Sequence, residues 1–149
     1  MAKSLEEVVS QIKKDCIKII DKDVSQDLKK IESEVIKEEL KKYNPRRYKR
    51  RIVGGLDDVA NMNHSVKESG SIISIKVTND TPTFYSRDYR LDEAVEEGEY
   101  YEFPLKNRNT EKYTYLKGRK FTDKTQQQIN KNGDRIILKN FRKNGIKIK

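Results

Sequence analysis

Residues 4–43, SLEEVVSQIKKDCIKIIDKDVSQDLKKIESEVIKEELKKY, decide how the rest of this chain folds. Apolar side chains recur at Leu5, Val8/Val9, Ile12, Cys16, Ile19/Ile20, Val24, Leu28, Ile31 and Val35. Steps of three and four place them in one stripe on a helix, with Lys and Glu on the other faces. Ser4 followed by Glu7 fits a capping box at the helix start. Asn44-Pro45 ends the helix, because proline lacks an N–H and pushes its predecessor out of helical geometry. The pattern drifts at Asp21-Lys22-Asp23-Val24-Ser25, where two shorter helices can meet; the reading taken is one helix over 4–43. At 1.5 Å per residue it measures roughly 60 Å, longer than a compact domain of this size needs. One end is therefore expected to project or to pack on a neighbouring copy.

The 149 residues make one domain with a single core. That core is thin, since 34% of residues are hydrophobic and 38% charged. No apolar run is long enough for a bilayer, so no membrane contact is expected. The start of the chain lacks the apolar stretch of a secretory signal. The single cysteine, Cys16, sits on the helical stripe and reads as a packing residue. With no internal disulfide to form, a reducing cytoplasm is the expected site of synthesis.

Charge is distributed in blocks. The total is +9, yet residues 1–43 are neutral, residues 44–51 carry +5, residues 52–105 carry −7 and residues 106–149 carry +11. Such blocks are complementary between copies and favour head-to-tail association; they also read simply as a solvated surface. Arg46, Arg47, Tyr48, Lys49, Arg50 and Arg51 form the densest basic cluster, suited to phosphate contacts with base stacking.

Beyond Gly54-Gly55 the chain turns β-rich. A strand is predicted over residues 62–68, a turn at Ser69-Gly70, and a second strand over 71–79 with Ile73, Ile75 and Val77 inward. Asn79-Asp80-Thr81-Pro82 reads as a turn. A short helix follows over about 89–97, capped by Gly98, then a strand over 100–105. Residues 106–120 read as a hairpin or a flexible excursion. The closing helix spans 122–144, with Thr122 or Asp123 as N-cap and Gly145 as its stop. Asn132-Gly133 is a candidate kink, and residues 146–148 a candidate edge strand. The fold class is α+β: a long N-terminal helix, a small antiparallel sheet of the 46–105 region with a short helix inserted, and a C-terminal helix packed on the sheet.

Catalytic constellations are sparse. One histidine, His64, leaves no basis for a His-based metal cluster, and no phosphate loop or GxSxG elbow occurs. The acids Asp92, Glu93, Glu96, Glu97, Glu99 and Glu102 have spacings compatible with a metal or a carboxylate pair, but read better as solvated charges. No catalytic residue, cofactor or metal is expected.

The order of elements, with Val95-Glu96-Glu97-Gly98 and later Gly118-Arg119-Lys120-Phe121 leading into the last helix, resembles the small tail-completion or head–tail joining proteins of long-tailed bacteriophages. The resemblance implies a structural subunit that forms a ring, a hexamer in the particle, on top of the tail tube. Its partners would be copies of itself, the tail-tube protein and the head connector or adaptor protein, in the host cytoplasm during assembly and then in the virion. Arg46, Arg47, Tyr48, Arg50, Arg51, Arg119 and Lys120 would then serve as partner interface. The acids between 92 and 102 would face a pore through which DNA passes without specific recognition. The competing reading is a small basic RNA binder or toxin-type ribonuclease using Arg46 to Arg51, His64, Tyr113 and Tyr115.

Overall fold

The computed structural model describes residues 4–42, 53–82, 90–102 and 113–147. It is an α+β fold whose spine is one continuous helical rod. Helix α1 (Leu5–Ile19) passes through a π-helical turn (Ile20–Val24) directly into α2 (Ser25–Leu40). The capping box is formed: Glu7 N–H donates to Ser4 Oγ at 3.2 Å, and Ser4 N–H to Glu7 Oε2 at 2.9 Å. The drift of the apolar pattern at residues 21–25 has a physical cause. A π turn holds an extra residue, so the stripe shifts register there without the rod breaking. Ser25 Oγ donates to the Asp21 carbonyl at 2.5 Å inside this turn.

Strands β1 (Met62–Ser69) and β2 (Ile72–Asn79) pair antiparallel across a two-residue turn, Gly70-Ser71. Gly70 has φ +60 while Ser71 does not have positive φ, which is the type II′ pattern that suits strand twist. Ile73, Ile75 and Val77 share the half-buried face, opposite Glu68, Val66 and His64. His64 Nε2 lies 3.1 Å from Asp21 Oδ1 and ties the hairpin to the π turn.

Helix α3 (Leu91–Glu97) leads into β3 (Gly98–Glu102), which pairs antiparallel with β4 (Tyr113–Lys117). Among the described residues the strands thus make two separate antiparallel pairs. The excursion predicted over 106–120 includes β4; residues 103–112 lie outside the described residues. Of the strand read over 100–105, Tyr100 to Glu102 fall in β3, which starts at Gly98, and residues 103–105 lie outside the described residues.

Helix α4 (Phe121–Lys143) runs antiparallel to α2. Lys124 pairs with Glu39 at one end, while Lys139 and Asn140 reach Asp27 and Asn144 reaches Asp23 at the other. Its N-cap is Lys120, with no side-chain bond of its own, rather than Thr122 or Asp123. It continues unbroken past Asn132-Gly133. It ends in a Schellman motif, with Ile146 N–H donating to Phe141 O and Gly145 N–H to Arg142 O, Gly145 at φ +81. That motif uses Ile146 as a cap, and Ile146 and Lys147 form no strand.

The core gathers where rod, hairpin, α3 and the start of α4 meet. Val35, Ile36, Leu56, Met62, Val95 and Phe121 form it, with Ile31, Leu40, Val77 and Leu91 at its margin. Ile19, Val24, Leu28 and Phe141 are buried where α4 crosses the π turn. The hairpin turn reaches only as far along the rod as Lys13, whose Nζ donates to Gly70 O and pairs with Glu68. Toward the N-terminus Leu5, Val8, Val9 and Ile12 are 79, 40, 56 and 53% exposed. Among the described residues the apolar stripe therefore outruns the body that would cover it.

Candidate functional site

The two segments Val95-Glu96-Glu97-Gly98 and Gly118-Arg119-Lys120-Phe121 meet in space as a clasp. Ala94 and Val95 are buried, which fixes α3 against the core. Gly98 at φ +94 then swings the chain into β3, a backbone state that favours glycine. Pairing of Gly98 with Lys117 brings β4 back beside α3, so that Gly118 passes over its last turn. A Cβ on Gly118 would stand 2.6 Å from Glu96 O and from Glu97 C and O; only glycine fits. Arg119 N–H donates to Val95 O at 2.7 Å, and Glu96 Oε2 accepts from both the N–H and Oγ1 of Thr122 at 3.1 Å. Glu96 thereby supplies the N-terminal cap that α4 lacks in its own sequence, and its charge suits the positive end of the helix.

The end of α2 joins the same clasp. Arg119 Nη2 donates to Lys42 O at 2.8 Å. Glu39, buried, accepts from Lys42 and Lys124 at 2.5 and 2.7 Å. Burial pushes the Glu39 carboxyl up, but the two ammonium groups outweigh it and hold it below the ordinary glutamate range.

Beside the clasp a cleft of about 440 Å³ opens between β2, α2 and α4. Its polar wall is Glu32, Asn79, Arg90 and Asp92; Leu28, Val77, Phe121 and Ile129 supply apolar surface. Arg90 grips Asp92 with two bonds, Nε to Oδ1 at 3.0 Å and Nη2 to Oδ2 at 2.7 Å, and also reaches Asn79 O at 2.6 Å. The bond to Asp92 raises the Arg90 pKa, so this guanidinium stays charged and engaged. Burial pushes the Glu32 carboxyl up; a bond from Asn79 opposes this and the nearby Asp92 charge adds to it. Asn79 Nδ2 also holds Leu56 O at 2.8 Å, so the residue knits the loop before β1 to the end of β2. These groups brace one another. Among the described residues no three His, Cys, Asp or Glu side chains are placed to hold a metal. No helix is long and apolar enough to cross a membrane, again among the described residues.

The sequence-predicted residues fare unevenly. Arg46, Arg47, Tyr48, Arg50 and Arg51 lie outside the described residues, as do residues 83–89 and residues 106–112 of the long excursion. Arg119 is half-buried in the clasp and Lys120 exposed beside it. Of the acids, Asp92 is held by Arg90, Glu96 caps α4, Glu93 and Glu97 are exposed, and Glu99 and Glu102 lie in β3. Glu32, Glu39, Asn79 and Arg90 were not foreseen. Glu32 and Glu39 fall on the buried side of α2, and their positions seven apart, flanking Val35 and Ile36, were the available signal.

No curated protein and no solved structure matches this chain. The sequence profile of one family, YomN, matches residues 4–144, a span that runs from the capping Ser4 to the end of α4. The chain belongs to the YomN family, and is thus a phage-associated protein.

Proposed function

We propose that this protein is a structural subunit of a phage, prophage or tail-like particle, seated at the neck, where it completes the tail and joins it to the head connector. The observation that carries this reading is the rod whose N-terminal turns expose Leu5, Val8, Val9 and Ile12 beyond the reach of hairpin and α4. A chain that spends this much apolar surface on a projecting helix is finished by contact with other proteins. The thin core and the opposed charge blocks favour the same role, as does membership of a phage-associated family.

In this reading the ring in the particle, a hexamer, contacts the tail-tube protein below and the head adaptor above. The protein acts in the host cytoplasm during assembly and afterwards in the virion, without cofactor and without catalysis. Glu93 and Glu97, the exposed acids of α3, would face passing DNA, Glu93 with Arg90 3.7 Å away, whereas Asp92 and Glu96 are committed to the fold. Light scattering of the purified chain with and without the tail-tube protein tests the proposal. A stable complex capped at one end of the tube supports it; no change in mass on mixing contradicts it.

A further inference from the structure

We infer that in free solution the α1 helices of two copies pair antiparallel, forming a closed dimer through the projecting apolar stripe. The inference concerns the free chain and does not depend on the neck assignment. Two observations carry it. The first is the stripe itself. Ser4 and Glu7 cap the helix to its very end, yet among the described residues Leu5, Val9 and Ile12 stay more than half exposed and Val8 is 40% exposed. Helices of this length are marginal in water without a packed face, so the exposed turns call for a cover.

The second observation is charge, and it selects the occupant and its direction. Residues 4–11 carry Glu6 and Glu7 and no base, a net of −2. Residues 12–19 carry Lys13, Lys14 and Lys18 against Asp15, a net of +2; with Lys13 already paired to Glu68 of its own hairpin, Lys14 and Lys18 leave a net of +1 for a second copy. A second α1 laid antiparallel sets each acidic half against a basic half; a parallel one sets like against like. Leu5, Val9, Ile12 and Cys16 follow the four-three-four spacing of a paired-helix seam. Antiparallel pairing about a two-fold axis then puts Leu5 opposite Cys16 of the second copy and Val9 opposite Ile12. Such a contact is self-complementary and stops at two. A contact between two single helices is small for a specific interface, so the dimer is expected to exchange with monomer rather than persist at every concentration. A weak seal suits a face that a later partner must take over.

The test is sedimentation velocity of the full chain from a few to several hundred micromolar, paired with oxidation of its native and one added cysteine. The weight-average mass is expected to climb from 17.5 kDa toward twice that value and no further. Ile12→Glu, at an exposed site, is expected to keep the fold by circular dichroism and weaken association at least tenfold. Leu5→Cys is expected to yield a covalent dimer whose links, by mass spectrometry, join Cys16 to the new cysteine of the other copy. The two native Cys16 residues sit about 16 Å apart along the axis and do not link in the unsubstituted chain. A monomer at every concentration overturns the inference. So does association indifferent to Ile12→Glu, a species larger than a dimer, or a Cys16-to-Cys16 link in the unsubstituted protein.

Discussion

Glu96 caps a helix that begins twenty-five residues further along the chain: its Oε2 accepts the N–H and Oγ1 of Thr122, each at 3.1 Å. An N-cap bond contributes about 1 kcal/mol, and a carboxylate at a helix N-terminus adds a few tenths. Glu96→Ala is therefore expected to cost about 1–1.5 kcal/mol in urea unfolding. Glu96→Gln retains an acceptor and should lose less than half of that. Equal loss in both variants would show that charge, not the cap bond, dominates.

Gly118 is the tightest point of the same clasp. Any side chain there runs into the backbone of Glu96 and Glu97, which cannot swing aside as a flexible side chain would. Gly118→Ala should destabilise by about 1–3 kcal/mol, as overpacking does. Gly133→Ala, in open space on α4, should instead stabilise by up to about 1 kcal/mol. Thermal melts of the two variants on either side of the parent check the pair.

Along the rod, burial and not residue type sets the cost of truncation. Ile36 is wholly buried and Leu5 is 79% exposed. Ile36→Ala is expected to cost about 2–5 kcal/mol, through lost transfer energy and an unfilled cavity. Leu5→Ala should stay within about 0.5 kcal/mol at low micromolar concentration, where copies are apart. A large loss for Leu5→Ala under those conditions would mean that the monomer covers the stripe itself.

Three carboxylates give stability opposite dependences on pH. Glu32 is buried and its folded pKa is raised above the ordinary 4.5, so the folded chain holds this proton more tightly than the unfolded one. Stability then falls as pH rises from 4.5 through that raised value. Asp27 and Glu39 go the other way. Burial pushes Asp27 up, but bonds from Asn140 and Lys139 prevail, and both acids end below their ordinary 3.8 and 4.5. Their contribution is present above those values and lost as pH falls through the folded ones. Glu32→Gln should therefore raise stability at pH 7 while leaving the acid limb in place. Glu39→Gln should lower stability at pH 7 by about 1–3 kcal/mol, because it weakens two bonds to ammonium groups, and should flatten the acid limb. Unfolding curves at pH 3–8 distinguish these outcomes.

Much of the architecture was legible because it rests on local periodicity. Leu5 through Val35 announce a helical stripe, Ile73, Ile75 and Val77 a half-buried strand, and Gly98 and Gly145 the ends of helices. The π turn was visible only as a drift in the stripe, since an extra residue per turn shifts phase without changing composition. The cap on α4 was misread as Thr122 or Asp123, because the real acceptor, Glu96, arrives through tertiary contact. Pairing of β3 with β4 and burial of Glu32 and Glu39 were hidden for the same reason: long-range contacts leave little local pattern. The clasp was half legible. Both of its segments stood out in the sequence, but nothing local says that Gly118 must lie against Glu97.

A structural role at the neck requires that this chain be needed to build a joined particle. The direct measurement is electron microscopy of lysates from the encoding phage or prophage after in-frame deletion of its gene, with complementation as control. Filled heads and tails are expected to accumulate unjoined, with tails of irregular length, and joined particles to be restored by the unsubstituted gene. Normal, infectious, head-joined particles in the deletion would contradict that role.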